Sequence, residues 1–162
     1  VQGSADSFCD YEGDALSVIY IENKEAECLP STHGVKDSAF LRDKVPMTKE
    51  EVRCVSLAKL GLKEDSVCYD VGAGTGSVSV EMALRTPKGR VYAIEKKETA
   101  VELLKKNKQK FMTDNLSVIE GVAPEALEAL EVPTHAFIGG SSGNIESILR
   151  LLLKKSEDSS CN

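Results

Sequence analysis

Three glycines at alternate positions, Gly72, Gly74 and Gly76, are the residues that point most directly to chemistry. They lie in the stretch YDVGAGTGSVSVEMA, between an apolar run and a run that is typical of a helix. Between a strand and a helix, such a bare backbone lets a ligand come close, and the free N–H groups at the helix start favour an anionic group. We therefore predict a ligand site at this turn.

The glycine spacing narrows the class of ligand. The dinucleotide fingerprint is G-x-G-x-x-G, whereas this chain has G-x-G-x-G and carries Ser77 where the third glycine would be needed. The lysine of a Walker phosphate loop is also absent. The pattern thus disfavours a pyrophosphate ligand and nicotinamide-dependent redox chemistry.

Two carboxylates flank the glycine turn. Glu95 directly follows the apolar run VYAI, where a carboxylate can accept hydrogen bonds from both hydroxyls of a ribose, although a solvated strand end is an equal alternative for this residue alone. Asp70 precedes the turn, and it can meet a ligand ammonium group or cap the following helix. S-adenosylmethionine carries an amino group, a carboxylate and a ribose but no phosphate, so it matches this set.

The elements that must position these residues alternate along the chain. Strands are predicted over 66–72, 89–95, 116–121 and 134–140, and helices over 77–86, 97–112, 123–130 and 144–155. Four βα units in succession predict an α/β fold, a doubly wound and mostly parallel sheet with right-handed crossovers. In such sheets, ligand sites lie at the carboxyl ends of the strands.

A further helix is predicted to begin near Met47. Thr48 with Glu51 has the spacing of a capping box, and Gly61 is a predicted helix stop. The expected apolar stripe consists of Val52, Val55, Leu57 and Leu60. Upstream, a strand is predicted over 16–22 and a connector over 23–46.

Composition limits the partners. The 162 residues fit one domain with a real core, and the net charge of −6 argues against bulk binding to nucleic acid or to an anionic membrane. The five cysteines show no C-x-x-C spacing, and His33 and His135 are far apart, so no metal site is expected. Cys54 and Cys68 are interpreted as small core residues of a reduced, cytoplasmic protein.

Five segments together resemble the decarboxylating precorrin methyltransferases of cobalamin biosynthesis, from about Asp37 to about Leu152. They are PMTKEEVR, DVGAGTGSVSVE, VYAIEK, GVAPEAL and FIGGSSGN. The resemblance implies a Rossmann-like class I methyltransferase fold that uses S-adenosyl-L-methionine. It also implies methylation of a tetrapyrrole at C15, loss of CO₂ from the ring C acetate, and a homo-oligomer similar to a tetramer.

The resemblance also implies a domain organisation. Residues 1–30 resemble the end of a preceding methyltransferase module or a linker, because LSVIYIEN is similar to the last strand of the C5-methylating module to which family members are fused. Residues 31–162 then form the domain that binds the cofactor. We expect the further strands that family members have after the fourth βα unit to be missing from this chain.

The resemblance implies that most of the site residues contact the cofactor. The implied cofactor-binding set is Thr48, Asp70, Gly72, Ala73, Gly74, Thr75, Gly76, Glu95, Lys96, Gly121, Val122, Ala123 and Gly139. A backbone amide within 121–123 is expected to meet the adenine. The sequence leaves open whether Thr48 caps its own helix or touches the cofactor.

The substrate carries many carboxylates, so an acidic protein needs a local cluster of cations. Arg42, Lys44, Lys49 and Arg53 surround PMTK, with a solvated helix start as the alternative interpretation. Gly140 and Ser141 are expected beside the flat substrate. Ser141, Ser142 and Asn144 are the candidates for assisting decarboxylation, and the alternative is that Ser or Asn caps a helix.

Two other functions remain open from the sequence. One is a class I methyltransferase that acts on RNA or protein, but low basicity and the lack of an N/D-P-P-Y/F-like motif after HAFIGG disfavour base methylation. The other is a fragment that binds the cofactor without turnover.

Overall fold

The computed structural model describes residues 3–8, 10–13 and 34–159. These ranges contain four helices: α1 (Glu50–Leu60), α2 (Ser77–Arg85), α3 (Glu98–Lys110) and α4 (Ile145–Ser159). Four strands alternate with them: β1 (Val67–Val71), β2 (Arg90–Glu95), β3 (Leu116–Glu120) and β4 (His135–Ile138). Short 3-10 turns cover Ala5–Phe8, Asp37–Ala39 and Glu125–Leu127. The strand predicted over 16–22 lies outside the described residues.

The strands form one parallel sheet with the order β3-β2-β1-β4. The chain therefore starts in the middle of the sheet, moves outward through β2 and β3, and then crosses back to place β4 beside β1. This arrangement confirms the predicted doubly wound α/β fold. The carboxyl ends of all four strands meet at one edge of the sheet, where ligand sites of this fold lie.

A separate apolar cluster covers each face of the sheet. One contains residues of α1, α2 and α3, including Leu57, Met82 and Leu104. The other is built from Ile94, Leu127 and Ile148 with their neighbours, and it packs α4 and the turn after β3 against the sheet. Cys68 is fully buried in the first cluster, as predicted, and Cys54 is half-buried.

Two predicted helices differ from the structure. The segment 123–130 forms only a 3-10 turn at Glu125–Leu127, anchored by the fully buried Leu127. Helix α1 begins at Glu50 after an extended Lys49, with no side-chain cap, so the capping box centred on Thr48 is wrong. Its predicted end is confirmed, because Gly61 adopts a left-handed conformation with φ of 62°.

The predicted apolar stripe of α1 is confirmed at Leu57 and Leu60, which pack in or against the core, and is wrong at Val52 and Val55. Val52 and Val55 are 53% and 61% exposed, whereas Arg53 is 0% exposed and shares the buried face with Leu57. The helix is rotated about its axis relative to the prediction because Arg53 has anionic partners in the interior. No helix in the described ranges combines the length and apolar character that crossing a membrane demands.

Candidate functional site

The loops that follow the four strands enclose a cleft of about 490 Å³. Its volume falls within the range of small-molecule sites. The segment before α1 closes one side of it. The lining residues are 45–48, 71–74, 94–97, 100, 121–123 and 139–142.

Most predicted site residues come together in this cleft. Those that line it are Thr48, Gly72, Ala73, Gly74, Glu95, Lys96, Gly121, Val122, Ala123, Gly139, Gly140, Ser141 and Ser142. Those that do not are Arg42, Lys44, Lys49, Arg53, Asp70, Thr75, Gly76 and Asn144. The four strand ends are thus brought to one place, as the predicted topology requires.

The glycines of the loop are needed mainly by the protein itself. A Cβ on Gly72 would lie 2.6–2.8 Å from backbone atoms of Gly140, in the loop after β4. One on Gly76 would lie 2.7 Å from the side chain of Leu104. Both distances are shorter than real Cβ contacts, so the bare backbone lets neighbouring elements pack closely whether or not a ligand is bound.

The predicted anion cradle of loop amides is not formed. Four of the five N–H groups over 72–76 donate to acceptors within the protein: those of Gly72 and Ala73 to the carbonyl of Ile94, that of Gly74 to the Glu95 carboxylate, and that of Gly76 to the carbonyl of Ala73. Only the N–H of Thr75 has no acceptor among the described residues. The loop therefore offers little for a ligand carboxylate, which must find its donors elsewhere in the cleft.

Thr75 and Gly76 lie behind the loop rather than in the cleft. Thr75 is 1% exposed, and its hydroxyl has no hydrogen-bond partner among the described residues. Its carbonyl accepts a hydrogen bond of 2.9 Å from the Asn107 side chain, on the buried face of α3. Neither Thr75 nor Gly76 is therefore placed to contact a ligand in the cleft. Both residues hold the loop from the side that faces away from the cleft.

Glu95 lies where the sequence predicted it, at the end of β2 and on the wall of the cleft. One carboxylate oxygen, Oε2, accepts the N–H of Gly74 at 2.9 Å. The other oxygen, Oε1, accepts the N–H groups of Lys96 and Lys97 at 2.9 and 3.0 Å. A carboxylate has about four acceptor sites, so about one remains for a ligand hydroxyl in this conformation. The two ribose contacts that the sequence predicted need a rearrangement.

Asp70 does not face the cleft. Its carboxylate is 1% exposed and accepts a hydrogen bond from the Ser79 hydroxyl in the first turn of α2. Burial raises the pKa of Asp70 to about 6, while hydrogen bonds from the side chain and backbone of Ser79 oppose this and the charge of Glu95 adds to it. The predicted contact with a ligand ammonium group is therefore not formed. The alternative, a carboxylate that supports the start of the following helix, matches the structure.

The end of β3 offers unpaired donors. The N–H of Gly121 donates to the carbonyl of Glu95 at 3.0 Å, whereas the N–H groups of Val122 and Ala123 have no acceptor within the described part of the chain. Val122 is 41% exposed and lines the cleft. These two amides are the groups that can meet a heterocyclic ring there.

The loop after β4 completes the cleft. The N–H groups of Gly139 and Gly140 both donate to the carbonyl of Val71, at 2.9 and 3.1 Å. Ser142 adopts a left-handed backbone with φ of 52°, and its hydroxyl lies 2.8 Å from the ammonium of Lys96. Ser141 also lines the cleft.

Asn144 is not placed for a catalytic role in the cleft. Its side-chain amide donates to the carbonyl of Ala123 at 3.1 Å, and its own carbonyl accepts the N–H of Ile148 at 3.0 Å. The residue thus ties the start of α4 to the loop after β3, which is closer to the predicted capping alternative.

The predicted cation cluster is wrong in its central member. The Arg53 guanidinium is fully buried and donates to the carboxylates of Glu81 and Asp37 at 2.8 and 2.6 Å. It also donates to the carbonyls of Thr48 and Val35. With these partners inside the protein, Arg53 cannot bind a substrate carboxylate. Its contact with Thr48 instead fixes the segment that closes the cleft.

The other predicted cations lie outside the cleft. Arg42 and Lys44 are exposed, and the ammonium of Lys49 lies 3.7 Å from Asp37. Among the described residues that line the cleft, the cations are Lys96 and Lys97. The sequence predicted that the lysines over 96–110 lie on the solvent-exposed face of a helix, which is confirmed for Lys105 and Lys106. It missed that Lys97 precedes α3 and lines the cleft.

Several apolar cleft residues were not predicted. Met47, Ile94, Val45, Pro46 and Ala100 line the cleft, and the carbonyl of Pro46 lies 2.9 Å from where a Cβ on Gly74 would be. A signal existed for Ile94, which immediately precedes Glu95 at a strand end. Residues 45–47 approach the loop only through the tertiary structure, and spacing along the chain did not indicate this.

Comparisons with known proteins agree with this geometry. Residues 38–158 match the family described as the precorrin methyltransferase domain. A probable cobalt-precorrin-6B C(15)-methyltransferase (decarboxylating) of Sulfurisphaera tokodaii is 47% identical over 118 residues, 72% of this chain and 62% of that protein. The cobalt-precorrin-6B C(15)-methyltransferase (decarboxylating) of Salmonella typhimurium is 44% identical over 116 residues, 71% of this chain and 59% of that protein. The chain thus spans less than two thirds of these relatives.

Solved structures show the same architecture. The precorrin-6y C5,15-methyltransferase of Geobacter metallireducens has a TM-score of 0.75 at 38% identity, covering 80% of this chain and 67% of that one. The precorrin 8W decarboxylase of Methanobacterium thermoautotrophicum has a TM-score of 0.70 at 37% identity, covering 75% and 66%. A protein-L-isoaspartate O-methyltransferase, at 18% identity and a TM-score of 0.52, shares the fold alone over 56% of this chain and 29% of that one. The Rossmann-like class I methyltransferase fold is confirmed.

Proposed function

The chain belongs to the precorrin methyltransferase family, and on that premise we propose that it binds S-adenosyl-L-methionine and methylates C15 of a precorrin. Loss of CO₂ from the ring C acetate accompanies the methylation, as a step of cobalamin biosynthesis. The names of its relatives, cobalt-precorrin-6B C(15)-methyltransferase (decarboxylating), support the reaction. Because the chain spans less than two thirds of these relatives, the activity of the whole protein is part of the proposal.

One observation carries the cofactor assignment: Glu95 lies on the wall of a cleft that four strand ends build. Its free acceptor capacity suits a sugar hydroxyl. The unpaired amides of Val122 and Ala123 suit an adenine, and Ile94 and Ala100 give that part of the cleft an apolar wall. The donors, the acceptor and the apolar surface therefore fit a nucleoside.

The cofactor, when bound, supplies a methyl group already activated on a sulfonium. The chain's own residues then have three tasks: to hold the nucleoside, to place the acceptor carbon, and to exclude water. In the proposal, Glu95, Val122 and Ala123 hold the nucleoside. Backbone of 72–74, Gly139 and Lys96, together with Thr48, surrounds the rest of the cofactor, and the Lys96 side chain is left for the substrate side.

The substrate side of the cleft is assigned to the loop after β4. Gly140 has no side chain and leaves room for a flat macrocycle, and Ser141 and Ser142 line the cleft with hydroxyl groups that can hold an acetate. Asp70, Thr75 and Gly76 support the glycine loop without touching the ligand. The site needs no catalytic triad, because the conjugated ring of the substrate is the electron sink for loss of CO₂.

The domain organisation and assembly are further proposals. We assign residues 1–30 to the end of a preceding module or to a linker, and residues 31–162 to the domain that binds the cofactor. Resemblance to the family supports a homo-oligomer, similar to a tetramer, located in the cytoplasm.

Calorimetric titration with S-adenosylhomocysteine and, separately, with NAD tests the cofactor. Binding of the first and not of the second is expected, and the reverse result contradicts the proposal. Mass spectrometry of the corrinoid product then tests the reaction. A gain of one methyl group together with the loss of CO₂ is expected.

A second function is favoured by the small number of cations among the described cleft residues, Lys96 and Lys97, for a substrate that carries many carboxylates. It is cofactor binding without turnover. Binding of S-adenosylhomocysteine with no change in the mass of the corrinoid would select it.

A further inference from the structure

The acidic chain places few cations at the cleft. Of the described residues that line it, Glu95, Lys96 and Lys97 are charged, and the two lysines are the cations. Arg53 has carboxylate and carbonyl partners inside the protein and is not available to a ligand. A substrate rich in carboxylates must therefore find its positive charge at the loop after β2 or beyond the cleft.

Lys96 reaches across the cleft edge. Its ammonium lies 2.8 Å from the hydroxyl of Ser142, although Lys96 follows β2 and Ser142 follows β4. Strand β1 lies between those two strands, so the lysine side chain crosses the carboxyl end of β1. No carboxylate lies within ion-pair distance of the Lys96 ammonium among the described residues. The Ser142 hydroxyl accepts one of the three N–H donors of the ammonium, so the other two can donate to a ligand.

The backbone conformation of Ser142 indicates that the surrounding structure holds this residue in place. A φ of 52° is uncommon for a residue other than glycine and costs about 1 kcal/mol, so surrounding structure must hold it. Gly143 follows with φ of 91°, which makes this a tight left-handed turn. The turn places the Ser142 hydroxyl within hydrogen-bond distance of the Lys96 ammonium.

We propose that the ammonium of Lys96 and the hydroxyl of Ser142 together bind a carboxylate of the tetrapyrrole substrate at the mouth of the cleft. The inference rests on the proposed function and names residues that recognise its substrate. Two donors 2.8 Å apart can each reach one oxygen of the same carboxylate. This pair takes the role that the sequence gave to Arg53.

The carboxylate of the cofactor's amino-acid tail has the same chemistry as the substrate's side chains. Depth within the site favours the substrate: Glu95, assigned to the nucleoside, is 8% exposed, whereas Lys96 and Ser142 are both exposed. A ligand group that meets the pair therefore lies on the outer side of the cleft. The test below separates the two sources.

The experiment uses the full chain with Lys96→Gln and Ser142→Gly, and Lys106→Gln as the control, an exposed lysine of α3 away from the cleft. Glycine at 142 removes the hydroxyl while accepting the left-handed backbone. Binding of S-adenosylhomocysteine is measured by calorimetry. Binding of uroporphyrin, a macrocycle that carries acetate and propionate groups, is measured by fluorescence with that cofactor product present.

Lys96→Gln is expected to weaken uroporphyrin binding about threefold to tenfold, and Ser142→Gly by a smaller factor. Binding of S-adenosylhomocysteine should change less than about twofold in both variants, and Lys106→Gln should match the unsubstituted chain. Added salt should reduce the difference between Lys96→Gln and the unsubstituted chain.

Three results overturn the inference. The first is a Lys96→Gln variant whose uroporphyrin affinity equals that of Lys106→Gln. The second is a loss confined to S-adenosylhomocysteine, which would assign the ammonium to the cofactor's carboxylate. The third is no uroporphyrin binding by the unsubstituted chain. Failure of the proposed function is read separately, as no binding of S-adenosylhomocysteine by the unsubstituted chain.

Discussion

The carboxylate of Glu95, at the end of β2, accepts a hydrogen bond of 2.9 Å from the backbone N–H of Gly74, in the loop after β1. The same carboxylate lines the cleft and also accepts the N–H groups of Lys96 and Lys97. One side chain therefore fixes the glycine loop and offers the acceptor assigned to the ribose. Ligand binding and loop conformation are coupled through it.

Glu95→Gln is expected to lower both stability and affinity. A carboxamide presents N–H groups toward backbone N–H donors, so at least one partly buried donor loses its acceptor, at a cost of about 1 kcal/mol in the free energy of unfolding. Affinity for S-adenosylhomocysteine should fall at least about tenfold. Urea unfolding and calorimetry check this, with Glu102→Gln, an exposed carboxylate on α3, as the control. Unchanged affinity in a folded Glu95→Gln variant would contradict the assignment.

Gly72 and Gly61 form a matched pair of left-handed glycines. Both have positive φ, 76° and 62°, but a Cβ on Gly72 would meet the backbone of Gly140, whereas one on Gly61 would meet nothing within 4 Å. Gly61→Ala should cost about 1 kcal/mol of unfolding free energy from backbone strain alone. Gly72→Ala should cost about 2 kcal/mol more and reduce cofactor affinity, because the two loops must separate. Equal losses in urea unfolding would show that the close contact is unimportant.

Arg53→Met should destabilise the chain strongly. The substitution leaves the carboxylate of Glu81, 2% exposed, with Arg85 at 3.5 Å as its one remaining cationic partner in the described part of the chain. Removing one member of a buried ion pair costs about 3–5 kcal/mol, and we expect about 3 because Arg85 remains. Arg90→Met is the control: that arginine is exposed, 3.6 Å from Glu131, and its loss should leave the urea midpoint close to that of the unsubstituted chain. Similar urea midpoints for the two variants would refute the structural role of Arg53.

Asp70 gives the stability a specific pH dependence. Burial raises its pKa from 3.8 to about 6. Between these values the folded chain keeps a proton that the unfolded chain has released, so the contribution of Asp70 to stability is present below about pH 4 and is lost as the pH rises through about 6. The size of the loss is about 3 kcal/mol.

Asp70→Asn removes that titration. From about pH 4 to about pH 7, the unsubstituted chain should therefore lose about 3 kcal/mol of unfolding free energy relative to the variant. Urea unfolding across this range measures it. Taking the difference cancels Asp37, whose pKa is lowered mainly by its hydrogen bond from Arg53 and which acts in the opposite direction. A constant difference would place the Asp70 carboxylate in a more polar environment than its burial indicates.

The sequence predicted the order of strands and helices well, because each has its own local signal. The strand predicted over 66–72 is Val67–Val71, and the helix predicted over 77–86 is Ser77–Arg85. Once that order is known, the parallel topology puts the strand ends together. This is why Glu95 could be placed in the cleft without knowledge of any contact, while Gly121 and Gly139 were implied by the family resemblance.

What the sequence missed depends on partners far along the chain. Arg53 was expected to bind a substrate carboxylate or to lie at a solvated helix start, yet it is buried, and Glu81 and Asp37, 28 and 16 residues away, offset the cost of burying its charge. The loop amides were expected to be free, but Ile94 and Glu95 accept three of them. The periodicity of apolar residues along the sequence does not indicate such pairings, because they depend on how the helices and strands pack together.

The stretch from Val35 to Thr48 contains only one short 3-10 turn, yet Val35 and Phe40 are 2% and 4% exposed. The guanidinium of Arg53 holds both ends of it through their carbonyls, and Asn107 holds Leu41 in between. Although the backbone of this stretch is irregular, the stretch is not expected to tolerate insertions. An engineer who wants to lengthen the chain, graft a tag or open new termini should avoid this stretch, because every residue added would pull apart contacts that side chains, rather than a ladder of strands, maintain.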